Sequence, residues 1–173
     1  MLDRFPEVAV EAYHIDNVIH GVRPNEFTHQ HEHITKVLVT EAPTLLDVPL
    51  PLGKLLFEAE HEVLERVQQT LVQEGWDQDY ELIFSGKTLL EMTAKGANKG
   101  GMVRRLAQRL GISMDHVYCA GDEANDISVL TAGAMGFAPA NCIQAVRDCG
   151  ATIVSNAWED AMADMVDILD KRY

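Results

Sequence analysis

The chain has 173 residues, of which 47% are apolar and 24% charged, and this is enough for one domain or two small ones. The formal net charge of -13 argues against nucleic acid or an anionic membrane as a partner, because phosphate backbones attract basic patches. A small phosphorylated molecule stays possible, since it needs only one or two local cations.

No segment approaches the roughly 20 apolar residues of a membrane span, and the N-terminal sequence lacks the basic-then-apolar pattern of a signal peptide. The three cysteines, Cys119, Cys142 and Cys149, are odd in number and have no zinc-site spacing. A reducing, cytoplasmic location is the simplest expectation.

The first half of the sequence predicts an α+β segment. Residues 8–22 alternate apolar and polar positions on both sides of Asp16-Asn17, which is typical of a β-hairpin. Residues 23–51 are less regular and carry four prolines. Further strands are predicted over residues 53–58, 80–85 and 88–92, and a helix over residues 61–74.

The second half alternates strands with helices, which predicts a parallel sheet with crossover helices in a doubly wound α/β layout. The helices are expected at residues 99–110, 125–131 and 143–149, and the strands at 117–120, 135–138 and 151–154. The Asn156/Glu159 pair predicts the start of a last helix. Its expected buried residues are Trp158, Ala161, Met162, Met165 and Leu169. We place the boundary between the halves near residues 93–98, giving segments 1–92 and 93–173.

The hexapeptide GDEAND, residues 121–126, follows the apolar strand 117–120 and concentrates polar groups at its carboxyl end. Ligands of parallel α/β sheets gather at this edge, and Asp122 offers a hard oxygen ligand of the kind that Mg²⁺ prefers. Asp122 could equally close a solvated turn, with Asn125 or Asp126 capping the next helix.

Three late motifs resemble those of haloacid-dehalogenase-like phosphatases, in particular the Cof-type branch that hydrolyses sugar phosphates and similar small phosphoesters. They are a lysine in the NKG setting at Lys99, the GDEAND loop, and a small-residue strand followed by a helix start at SNAWED. The resemblance covers roughly residues 80–173. Residues 1–79 are similar, more loosely, to the second part of the α+β cap domain of that branch.

The resemblance implies a role for each matching residue. Lys99 would hold the transferring phosphoryl group, and Asp126 would orient Lys99. Asn125 would contact the phosphate or a metal-bound water, and Asp122 would be a Mg²⁺ ligand. These roles agree with the chemistry of phosphoryl transfer, which depends mainly on positioning and on charge neutralisation.

The nucleophile motif of the family, DxDGT, does not occur in these 173 residues. The nearest match, Asp77-Gln78-Asp79, precedes a strand, lacks Gly-Thr and is interpreted as a surface turn. The expectation is therefore an incomplete core sheet without its first strand, weak or absent Mg²⁺ binding, and no activity of this chain alone. The chain would then be a truncated product or a truncated gene model, or it would dimerise to cover the open sheet edge, or a second chain would supply the N-terminal portion.

The sequence is therefore compatible with two functions. One is a Mg²⁺-dependent phosphatase for small phosphomonoesters, and the other is a catalytically silent phosphate-binding or assembly module.

A second candidate site is the HQHEH stretch. His29, His31 and His33 are spaced i, i+2, i+4, which on an extended strand would align three imidazoles for a zinc or nickel ion. The alternative is a solvated or substrate-facing loop.

Overall fold

The computed structural model describes residues 2–173, and the chain divides into two compact units between Lys95 and Gly96. The N-terminal unit ends at Lys95, and the C-terminal unit contains Gly96–Tyr173.

The N-terminal unit is built on one six-stranded sheet. Its strands are β1 (Ala9–His14), β2 (Ile19–Val22), β3 (Thr40–Glu41), β4 (Leu52–Glu58), β5 (Tyr80–Gly86) and β6 (Leu89–Ala94). They lie in the order β3-β2-β1-β4-β6-β5, and all neighbours are antiparallel except β2 and β3. The predicted hairpin of residues 8–22 is confirmed as β1 and β2, which pair in antiparallel register.

Helix α2 (His61–Gln73) covers one face of this sheet with its apolar stripe. Leu64, Val67 and Leu71 on the helix pack with Val10 and Phe57 on the strands. All five are almost completely buried, so burial of apolar surface stabilises this side of the unit.

Helix α1 (Glu26–Thr35) is a difference from the sequence prediction, which left residues 23–51 without regular structure. The helix begins at a capping box, in which the Asn25 side chain accepts from the backbone N–H groups of Phe27 and Thr28. The Thr28 hydroxyl in turn lies 3.2 Å from the Asn25 backbone nitrogen. These bonds satisfy backbone donors that a helix start leaves free.

The C-terminal unit contains a three-stranded parallel sheet in the order β7-β8-β9, as the alternating pattern predicts. The strands are β7 (Tyr118–Ala120), β8 (Met135–Pro139) and β9 (Thr152–Val154). The helices of the unit are α3 (Lys99–Leu110), α4 (Ile127–Leu130), α5 (Gln144–Asp148) and α6 (Ala161–Asp170). Within the part of the chain that the structure describes, β7 pairs with β8 alone and is therefore an edge strand.

The last helix starts later than the sequence predicts. The Asn156 amide does bond the Glu159 carboxylate at 2.7 Å, but the backbone at Asp160 is left-handed, and the helix begins at Ala161. Trp158 and Met162, expected in the core, are 73% and 64% exposed. Trp158 lies in the turn before Asp160, so the helical periodicity that predicted its burial does not apply to it. Met162 lies within α6 but on its exposed side.

Residues 77–79, interpreted as a surface turn, fall at the short 3-10 helix Trp76–Gln78 and its C-cap Asp79. Among the described residues, no helix is both long enough and apolar enough to cross a membrane.

Candidate functional site

The loop after β7 is shaped by the side chain of Asp126. Its carboxylate folds back and accepts hydrogen bonds from the backbone N–H groups of Asp122 and Glu123, at 3.0 and 3.2 Å. A Cβ on Gly121 would lie 2.3 Å from the Asp126 Cβ, so only glycine leaves room for this arrangement. The loop thereby holds Asp122 at the carboxyl end of β7.

Lys99 reaches this loop from the start of α3. Its ammonium donates to the side-chain oxygen of Asn125 at 3.2 Å and to the carboxylate of Asp126. Asp126 is buried, whereas the Lys99 side chain is 52% exposed. The ammonium has three donors and these contacts use two of them, so one donor is left for a ligand.

Helix α3 is held close to α4 by a glycine. The backbone N–H of Gly100 donates to the Ser128 hydroxyl at 3.1 Å, and a Cβ at Gly100 would lie 2.0 Å from the Ser128 carbonyl oxygen. The Asn98 side chain caps the helix by accepting from the Gly101 N–H at 2.8 Å. The start of α3, and Lys99 with it, is fixed against the loop by these contacts.

Asp126 is ionised in this setting. Burial acts to raise its pKa, but the hydrogen bonds from Lys99 and from the two backbone N–H groups favour the charged form more strongly. The pKa of Asp126 is therefore below its ordinary value, and the Lys99–Asp126 contact is an ion pair.

Asp122 is placed differently from Asp126. Its side chain is exposed, and in the described part of the chain no hydrogen bond or ion pair engages its carboxylate. Asp122 also lines an apolar cleft of about 280 Å³ that extends to Ala161, Met162 and Met165 of α6. It is the single ionisable residue in the lining of that cleft.

The donor chemistry of Asp122 suits a hard cation such as Mg²⁺, which is usually held by one or two carboxylates together with water and phosphate oxygens. A free, exposed carboxylate oxygen meets this requirement without breaking an existing bond. One carboxylate alone makes a weak site, however, since each missing ligand removes charge from it.

The structure thus brings Lys99, Asn125 and Asp126 into direct contact and places Asp122 in the same loop. The glycines Gly100 and Gly121, which permit this geometry, were not singled out from the sequence. Their position directly beside Lys99 and Asp122 is the feature of the sequence from which their role could be predicted.

The HQHEH stretch does not form the extended row of imidazoles. It lies in α1, where i and i+2 residues point to different sides, so the three-imidazole alignment is wrong. His29 is exposed and pairs with Glu32 at 3.1 Å, whereas His31 contacts the buried carboxylate of Glu11.

Comparison with known proteins assigns the chain to a family. The sequence model of haloacid dehalogenase-like hydrolases matches residues 5–166. The chain belongs to this family. The match extends over both units, beyond the late motifs that carried the resemblance.

Curated relatives in the family are phosphatases by name. The putative phosphatase YxeH of Bacillus subtilis is 33% identical over 129 residues, which cover 72% of this chain and 46% of that protein. The HMP-PP phosphatase of Escherichia coli is 34% identical over 107 residues, 60% of this chain and 39% of that protein. The chain thus spans less than half the length of these relatives.

Solved structures of haloacid dehalogenase-like proteins share the fold. A hydrolase from Bacteroides thetaiotaomicron superposes with a TM-score of 0.73 at 21% identity, over 96% of this chain and 62% of that one. The subclass IIB sugar phosphatase BT4131 gives a TM-score of 0.82 at 16% identity, over 98% of this chain and 63% of that one.

Proposed function

We propose that this chain supplies the phosphate-binding and Mg²⁺-binding part of a phosphatase that acts on small phosphomonoesters such as sugar phosphates. The observation that carries the proposal is the contact of Lys99 with Asn125 and Asp126 beside the free carboxylate of Asp122. Relatives named as phosphatases and a structural neighbour named as a sugar phosphatase support this proposal.

Each residue has a role that follows from its surroundings. Lys99 holds a phosphoryl oxygen with its remaining donor and offsets its charge, while Asp126 keeps the ammonium in place. Asn125 orients Lys99 through its side-chain oxygen and offers its amide N–H donors to the phosphate or to a water. Asp122 holds the cation, and Mg²⁺ when bound supplies neutralisation of phosphoryl charge.

We also infer that these 173 residues do not by themselves turn over substrate. They contain no Asp-x-Asp-Gly-Thr motif, and without a nucleophilic carboxylate at the phosphoryl group no aspartyl-phosphate forms. The same observation favours the second candidate, a catalytically silent module that binds phosphate.

Phosphate binding distinguishes the two candidates. We expect inorganic phosphate, titrated calorimetrically into the chain, to bind more tightly when Mg²⁺ is present, because a cation held by Asp122 would offset the negative charge of the phosphate. Lys99→Ala should weaken binding roughly 10-fold to 100-fold, as expected for one charge-assisted hydrogen bond. Asp122→Asn should remove the Mg²⁺ effect and leave metal-free binding unchanged.

Phosphate binding that does not depend on Mg²⁺ would favour the silent phosphate-binding module. No phosphate binding would reject both the phosphatase and the phosphate-binding module, and would leave an assembly module. Hydrolysis of an aryl phosphate completes the test, with no turnover expected above the Lys99→Ala background. Robust turnover that Asp122→Ala abolishes would show that another carboxylate acts as the nucleophile.

The edge strand β7 supports a proposal on assembly. Among residues 2–173 no strand pairs with its other side, and the backbone N–H and C=O groups there favour pairing with another strand. We expect a second copy of the chain to cover it, so light scattering should give a mass above one chain, whereas a monomeric mass would contradict this.

The three free cysteines support a reducing, cytoplasmic location.

A further inference from the structure

A buried polar cluster lies in the N-terminal unit and takes no part in the proposed phosphate site. It combines Glu11 of β1, His31 of α1 and Glu58 at the end of β4. In the antiparallel register of β1 and β4, Glu11 lies opposite Leu56, so Glu58 is its diagonal neighbour on the same face of the sheet. Helix α1 brings His31 to this face.

The three side chains are close enough to share one ion. The His31 Nδ1 lies 3.0 and 3.1 Å from the two Glu11 carboxylate oxygens and 3.7 Å from the Glu58 Oε1. One ligand atom from each residue lies within 4.8 Å of the other two. Ligand atoms about 2.1 Å from a tetrahedral ion are about 3.4 Å apart, and the observed separations bracket this value.

One oxygen of the cluster has no hydrogen-bond partner, although the His31 Nδ1 lies 3.7 Å away. The Glu58 side chain is 0% exposed, its Oε2 accepts from the Thr28 hydroxyl at 2.5 Å, and its Oε1 is buried without any hydrogen bond. A buried polar atom in this state costs free energy.

A hydroxyl group donates a hydrogen bond to each of the two carboxylates. The Tyr13 hydroxyl donates to the Glu11 Oε2 at 2.7 Å, as the Thr28 hydroxyl does to Glu58. Such outer contacts are typical of metal sites, where they fix the direction of the ligands. The Asn25 amide also donates to the Glu58 backbone oxygen at 3.2 Å, which ties the start of α1 to the end of β4.

We propose that Glu11, His31 and Glu58 bind one divalent transition-metal ion, with Zn²⁺ the first choice. Two carboxylates and one imidazole form a ligand set for Zn²⁺ or Mn²⁺, whereas Mg²⁺ takes oxygen ligands. Two negative ligands neutralise a divalent ion, which suits a buried site. The ion joins α1 to β1 and β4 and gives the Glu58 Oε1 its missing partner. A water fills the fourth position on the side where His31 is 18% exposed.

The test must separate this cluster from the surface of the same helix. His29 and His33 are spaced i, i+4 on α1 and line a shallow depression, so they could chelate zinc by themselves. The measurements therefore compare the wild-type chain, made without a histidine tag, with the double variant His29→Ala/His33→Ala. Into that double variant, Glu58→Gln, His31→Ala and Thr28→Ala are then introduced one at a time.

We expect the chelator-treated wild type and the double variant each to bind Zn²⁺ at the cluster and to show a higher Tm with Zn²⁺. Glu58→Gln and His31→Ala should abolish this binding, and Thr28→Ala should weaken it roughly 10-fold to 100-fold. Co²⁺ bound in place of Zn²⁺ should give the visible absorption of a four-coordinate site, and circular dichroism checks that each variant is folded.

Two results would overturn the proposal. One is zinc binding that disappears in His29→Ala/His33→Ala, which would locate the ion on the helix surface. The other is binding unchanged by Glu58→Gln in a folded protein. Neither result bears on phosphate binding at Lys99, which Asp122→Asn and Lys99→Ala test separately.

Discussion

The ammonium of Lys99 and the carboxylate of Asp126 form an ion pair across 27 positions of the sequence. The pair joins the first residue of α3 to the loop that follows β7. Since the same carboxylate also accepts two backbone N–H groups, Asp126 organises the loop as well as the lysine.

Asp126→Ala should therefore lower the free energy of unfolding by about 1–3 kcal/mol, because it removes the charged acceptor of two backbone N–H groups and of the Lys99 ammonium. Asp122→Ala is the matched control in the same loop, and it should stay within about 0.5 kcal/mol of wild type, since its carboxylate is exposed and unpaired. Urea denaturation measures both. Equal stability of the two variants would show that the Asp126 contacts do not hold the loop.

Gly100→Ala should destabilise the protein more than the addition of a single methyl group suggests. The added Cβ would meet the Ser128 carbonyl oxygen at 2.0 Å, and a backbone atom cannot rotate away as a side chain can. We expect a loss of about 1–3 kcal/mol or more, together with weaker phosphate binding as Lys99 is displaced.

The control for this variant is Gly53→Ala in β4, where the nearest atom to the new Cβ is 3.8 Å away. It should leave stability unchanged or raise it by up to about 1 kcal/mol. Unchanged stability of Gly100→Ala would mean that α3 and α4 separate without cost.

The sequence predicts the parallel strands of the C-terminal unit well because their apolar runs alternate with helices at regular spacing. It does not predict α1, whose surface is mostly polar. The capping pair Asn25 and Thr28 was the local signal for this helix, and the prolines around it obscured the signal.

The two candidate sites also differ in how far the sequence predicts them. Lys99, Asn125 and Asp126 could be grouped because a motif joins residues that are far apart in sequence. Glu11 could not, since in an alternating strand it has the pattern of a solvent-facing residue. Only the position of α1 over that face shows that Glu11 is buried beside Glu58.

The Asp164 carboxylate should make stability depend on pH. It accepts from the Ser155 hydroxyl at 2.5 Å and from the Ser155 N–H at 2.9 Å, and these bonds lower the pKa of Asp164 below its ordinary value. A lowered pKa in the folded state contributes stability above the unfolded value of about 3.9, and this contribution is lost as the pH falls through the folded pKa.

Asp164→Asn should thus be less stable than wild type at pH 7, and the difference should shrink as the pH falls below about 3.9. Urea midpoints at several pH values between 7 and 3 measure this trend. The control is Asp167→Asn on the same helix, where the side chain is exposed and has no bonded partner among residues 2–173. A difference between Asp164→Asn and wild type that stays constant with pH would show that the carboxylate is not the source.

Leu64 is the best single probe of the core of the N-terminal unit. It is 0% exposed on α2 and packs in the cluster that contains Val10, Phe57 and Leu90. Leu64→Ala removes buried methyl groups and leaves a cavity, so it should cost about 2–5 kcal/mol. Leu46→Ala makes the same chemical change at a side chain that is 96% exposed, and it should cost less than about 0.5 kcal/mol.

The chain has two tryptophans, Trp76 in this unit and Trp158 in the other, so fluorescence in a Trp158→Phe background follows the N-terminal unit alone. If Leu64→Ala and Leu46→Ala then unfold at the same urea concentration, α2 does not hold the core of this unit together.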